Sequence, residues 1–89
     1  MSVEETIKQR EELYGNFGEA AVTMQELKKS ARRHSRWRLL PVDQREAIDM
    51  ILHKIGRHIN GDHQYPDNFH DIGGYAKLAE DEILRNKND

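Results

Sequence analysis

Apolar residues recur along this chain at intervals of three and four, the period of helices that each bury one face. The pattern runs through four stretches. In the first, Val3, Ile7, Arg10 and the Leu13/Tyr14 pair form a narrow row. Ser2 followed by Glu5 offers a reciprocal cap, which predicts a helix start there. Gly15-Asn16-Phe17-Gly18 is expected to break it. From about Glu19 the period resumes: Ala20, Ala21, Met24, Leu27 and Ala31 share a face, with Phe17 leading in and Trp37 closing over the far end.

The third stretch has Asp43 as its expected cap, Glu46 three residues on, and Val42 and Ala47 spaced as a hydrophobic staple. At about 100° per residue, Ile48, Ile51, Leu52, Ile55 and Ile59 cluster on one side, while Glu46, Asp49, His53 and Arg57 fall on the other. Asn60-Gly61 predicts a left-handed end. Tyr65 before Pro66 is held extended, so the fourth helix starts no earlier than Asp67 or Asn68, with Asp67 as the expected cap. Ile72, Ala76, Ala79 and Ile83 form its stripe, flanked by Asp71, Tyr75, Leu78 and Glu82. Gly73-Gly74 inside it costs about 1 kcal/mol per glycine relative to alanine, which predicts a close approach by another helix or a ligand. The tail RNKND reads as frayed. Together these predict an all-α, antiparallel bundle of about four helices, one domain over residues 1–89 with its ordered core at about 3–84.

Composition narrows the classes. The chain has 89 residues, 36% hydrophobic and 34% charged, with no cysteine. Disulfide frameworks and thiolate metal sites are thereby excluded. No apolar run approaches the roughly 18 residues of a membrane span, and the acidic start is unlike a secretory signal. A cytoplasmic location, with no membrane partner, is expected. A mean hydropathy of −0.95 implies a thin core. A domain this small buries only about 60% of its unfolded surface, so homo-oligomerisation is expected to cover the rest. Three serines without an adjacent base, and five histidines without paired turn spacing, argue against nucleophilic catalysis and structural zinc.

Charge is uneven. The net charge is −2, yet Lys28, Lys29, Arg32, Arg33, Arg36 and Arg38 lie in one segment without an acid, leaving −8 on the remainder. With Trp37 to stack on a base, that segment is a candidate surface for nucleic acid or for a host protein. The alternative is a core Trp37 with arginines that are solvated or meet a second subunit. Glu46, Asp49 and His53 share one helix face at a spacing that lets side chains converge on magnesium, and Asp71 joins them if the third and fourth helices pack antiparallel. Glu46, Asp49 and Asp71 are thus the candidate metal ligands. The alternative is a solvated face with Glu46 and Asp49 paired to Arg45, Lys54 or Arg57.

Tyr14-Gly15, the Leu40-Pro41-Val42-Asp43 entry, Lys54-x-x-Arg57 and Asp67-Asn68 followed by Asp71-Ile72-Gly73-Gly74-Tyr75-Ala76 occur in that order. The set resembles an uncharacterised family of small phage and prophage helical domains, over roughly residues 10–82. That family is similar in turn to helical domains beside phage DNA-base-modification genes, and more loosely to MazG-like nucleotide pyrophosphatases. The resemblance implies a phage or prophage accessory protein that binds nucleotides or serves phage nucleotide and DNA metabolism in the host cytoplasm. It assigns Lys54 and Arg57 to phosphate. A buried Arg57–Asp71 ion pair between the third and fourth helices would explain the same pattern without a ligand. MazG-like enzymes use two acidic pairs; Glu46-x-x-Asp49 supplies one, and Glu4, Glu5, Glu11 and Glu12 never give E-x-x-E. The residues lean away from an enzyme; an enzymatic reading would be a magnesium-dependent nucleotide pyrophosphatase.

Overall fold

A computed structural model describes residues 2–88. Among them the chain forms α1 (Val3–Tyr14), α2 (Phe17–Arg32), a single 3₁₀ turn (Trp37–Leu39), α3 (Val42–Asn60) and α4 (Asp67–Asn88), with no strand. The all-helical class is as the periodicity predicts. No helix among the described residues is long and apolar enough to cross a membrane.

Local chemistry sets the helix ends. Ser2 Oγ accepts from the Glu5 N–H at 3.1 Å, and α1 begins there. The break after it is shorter than expected. Gly15 alone turns the chain, at φ 77°, and Asn16 then caps α2 by accepting from the Glu19 N–H at 3.1 Å, so α2 starts at Phe17. Both are short polar side chains satisfying a free N–H of a first turn.

At α3 the expected cap is displaced. The helix follows directly on Pro41, no side chain caps it, and Asp43 lies in the first turn, where its charge meets the helix dipole. Its end is extended rather than left-handed, with Gly61 at φ −114°. Gly61 is required by proximity: a Cβ there would collide with the Leu13 carbonyl and Tyr14. The Asp62 N–H donates to the Leu13 carbonyl at 2.8 Å across the same junction. Asp67 is the first residue of α4 rather than its cap, a one-residue difference at a boundary. Helix α4 runs on to Asn88, and Asp89, the last residue of the tail expected to fray, lies outside the described residues.

Helices α2, α3 and α4 form a layer with α3 in the centre. Arg32 meets Asp49, Lys28 meets His53, and Gly56 lies against Met24, so α2 and α3 run antiparallel. Lys54 meets Asp71, and the His58 ring packs on Phe69 at 4.5 Å, so α3 and α4 do too. On a helical wheel, the α3 residues facing α2 and those facing α4 lie roughly 150° apart, on opposite flanks. The buried apolar side chains are small in number and size: Ala20, Met24 and Ala47, together with Gly56. The dimensions are 48 × 26 × 23 Å with a radius of gyration of 15.4 Å. A compact chain of this length has about 12 Å.

Helix α1 is the least attached element. It buries no residue, and Val3 and Ile7 are 71% and 51% exposed. Gly73 and Gly74 were expected to admit a close neighbour, but a Cβ at either would meet nothing within 4 Å.

Candidate functional site

Where α1 crosses the α2–α3 groove it leaves a cleft of about 330 Å³. Ile7 and Tyr14 come from α1, Phe17 and Met24 from α2, and His53 and Arg57 from α3, with Arg10 and Glu11 at the margin. The α1 residues are placed by helical period, since Ile7, Arg10, Glu11 and Tyr14 follow at three- and four-residue steps. The result is an apolar, aromatic interior with a few charged groups, Arg10, Glu11 and Arg57, the usual make-up of a small-molecule pocket.

The Arg57 guanidinium lies 4.7 Å from the centre of the Tyr14 ring, a cation–π contact. Tyr14 in turn packs against Tyr65 at 5.9 Å. The Tyr65 hydroxyl donates to Asp67 Oδ2 at 2.7 Å, and this bond, with desolvation adding to it, pushes the phenol up to about 12. Thus Tyr14, Arg57 and Asp67, residues of three separate motifs, join one chain of contacts through a tyrosine that the sequence did not single out.

His53 is held neutral. Burial is the largest cause of its lowered pKa, and the charges of Lys28, Arg57 and Lys54 add to it. Lys28 Nζ lies 3.3 Å from His53 Nδ1. An ammonium can only donate, so this bond requires Nδ1 without a proton and places the ring proton on Nε2. An imidazole repelled by three cations marks a positive region at the cleft wall.

The acidic residues are divided. Asp49 Oδ2 accepts from Arg32 at 2.9 Å, toward α2; Asp71 Oδ2 meets Lys54 at 2.8 Å, toward α4. Glu46 is exposed, beside a shallow surface hollow shared with Tyr75 and Glu82 of α4. Among the described residues no three histidine, aspartate or glutamate side chains converge to hold a metal. The donor set expected for magnesium, Glu46, Asp49 and Asp71, therefore does not assemble, because two members face opposite flanks of α3 and are neutralised by cations. The α3–α4 ion pair is made by Lys54 in place of the anticipated Arg57. The Lys54 hydrogen bond is the main cause holding the Asp71 carboxyl below its ordinary value, and Arg57 contributes through its charge.

The basic segment is split as well. Lys28 and Arg32 reach across to His53 and Asp49 of α3, Arg32 from an exposed position. Lys29, Arg33, Arg36 and Arg38 are exposed, and no carboxylate among the described residues pairs with them; Trp37 is partly buried in the 3₁₀ turn. Ile7, Arg10 and Phe17 were absent from the expected site. The row Ile7, Arg10, Tyr14 was visible on α1, but its partner across the groove depends on how α1 crosses α2 and α3.

Comparison with protein-family models, curated proteins and solved structures finds no match.

Proposed function

We propose that this protein is a phage or prophage accessory protein that binds a nucleotide in the cleft between α1, α2 and α3, without a magnesium site of its own. The observation that carries the reading is the cleft's division of labour. Ile7, Tyr14, Phe17 and Met24 offer a surface for a base, while Arg10 and Arg57 stand at the rim beside a neutral His53. A guanidinium gives a phosphate two parallel donors, and a neutral imidazole with its proton on Nε2 adds one more. The motif order that resembles the phage family supports the setting, since Tyr14 and Arg57 belong to it. Lys54 then acts by holding Asp71 and leaves direct phosphate contact to Arg57.

Thermal unfolding with a panel of nucleoside mono- and triphosphates, with and without magnesium, tests it. A ligand at 100 times its dissociation constant adds about 2.7 kcal/mol to stability. The gain is expected without magnesium and is lost in Arg57→Ala. No gain with any nucleotide refutes the reading.

A second reading rests on a separate observation, the four exposed cations Lys29, Arg33, Arg36 and Arg38. They suit a nucleic-acid backbone, with Trp37 beside them. Salt-dependent retardation of single-stranded DNA that disappears in Arg33→Ala/Arg36→Ala would favour it over the cleft. Retention of a host protein instead of DNA would assign the segment to protein contact.

A further inference from the structure

The side of the layer away from the cleft is aliphatic on α3 and is covered only in part by the chain. On α3, Ile48, Ile51, Leu52, Ile55 and Ile59 centre about midway between the flank facing α2 and the flank facing α4. Ile48, Ile51, Leu52 and Ile55 are half-buried between the flanking helices, and Ile59 is 67% exposed. The antiparallel pairing of α3 and α4 turns the stripe of α4 to the same side. There Phe69 is 62% and Ile83 39% exposed, Ala76 is exposed and Ile72 only partly covered. The stacking of His58 on Phe69 lies on this side of the α3–α4 seam, and the Lys54–Asp71 pair on the other.

The chain as a whole, its loosely attached α1 included, exposes more surface than a compact monomer, enough to hold an interface. The chain exposes 6685 Å², whereas a compact monomer of 10.4 kDa exposes about 5,400 Å². The excess is about 1,300 Å², and a stable protein–protein interface covers about 800 Å² on each partner.

We infer that this face is a homodimer interface in which α3 and α4 of two copies form one four-helix bundle. The face supplies its own complement: a ridge of isoleucines on α3 beside a lower strip on α4 that includes Ala76. A half-turn about an axis parallel to the helices, between α3 and α4, lays each ridge over the other copy's strip. It also makes every neighbouring pair in the bundle antiparallel, the up-and-down arrangement that packs helices at small crossing angles. The contact is isologous and closed, so assembly stops at two. The cleft lies on the opposite side of the layer, and this inference is independent of what binds there.

Light scattering and sedimentation equilibrium test it. The chain is expected at about twice 10.4 kDa at micromolar concentration. Ala76→Arg places a charge at an exposed, helix-compatible position on the face and is expected to give a monomer that retains its helical circular dichroism. Val22→Arg, at a 65% exposed position on α2 outside the face, is expected to remain dimeric. If Ala76→Arg loses its helical signal, Ile59→Lys repeats the test at the end of the ridge. A monomeric wild-type chain, or a dimer that persists in both face variants, overturns the inference.

Discussion

Against α2, helix α3 presents Gly56, where an added Cβ would stand 2.6 Å from Met24 Cγ. Against α4 it presents Lys54 and His58, and Asn68 of α4 is sealed at 1% exposure with its Nδ2 unpartnered. The α2 seam combines this close approach with two polar contacts, Arg32–Asp49 and Lys28–His53, whereas the α4 seam is held at these positions by polar groups. The close approach sets distance, because two backbones approach as far as a missing side chain allows. The polar α4 contacts set orientation, because an ammonium and a carboxylate must meet on one side of the seam. Small and polar groups occupy both flanks of α3, so its large aliphatic residues lie on the face between them, half-covered except for Ile59.

The contrast breaks most sharply at Gly56. Gly56→Leu is expected to cost about 3 kcal/mol, since the seam must open to admit the side chain. Urea unfolding measures it, and a cost below about 1 kcal/mol would mean that the α2 seam is not steric.

At the α4 seam the expected signature is a pH dependence. Lys54 lowers the Asp71 pKa, so the unfolded chain binds a proton more readily than the folded one. The resulting stability is present above the ordinary aspartate range and is lost as pH falls through the lowered folded value. Lys54→Met is expected to flatten that acid limb. Unfolding midpoints across the acid range read it directly, and parallel curves for variant and wild type would count against the pair.

The smallest expected effect comes from His53, whose contact with Lys28 shares the α2 seam with the Arg32–Asp49 pair. Its folded pKa is depressed, so stability is complete above the ordinary imidazole range and declines as pH falls from there toward the depressed value. Lys28→Met removes one of the repelling charges. The loss as pH falls through the ordinary imidazole range is expected to shrink in the variant, as followed by urea titration at each pH.

These seams explain which parts of the molecule were legible in the sequence. Helical class, the Ser2 start and the aliphatic stripe of α3 depend on neighbours within a turn, and local spacing reveals them. The Asn16 cap was missed because Gly18 also looked like a break, although only Gly15 has the backbone angle of one. Pairings across seams are set by the register of antiparallel helices, which a single helix cannot encode. Arg32 with Asp49 and Lys54 with Asp71 therefore emerged only with the fold, and they dissolved the expected metal cluster. The glycine pair in α4 misled for a related reason: an absent side chain permits a close neighbour without supplying one.

At the junction of α1, α2 and the end of α3, two glycines face each other's chains. A side chain on Gly15 would strike the Asn60 carbonyl, and one on Gly61 would strike Leu13 and Tyr14. The crossing thus works as a rivet, fastened by shape at a point where α1 is otherwise loosely held. Helix α1 is located chiefly at its C-terminal end, and the hollow beneath it is bounded on that side by the same backbone-to-backbone fit.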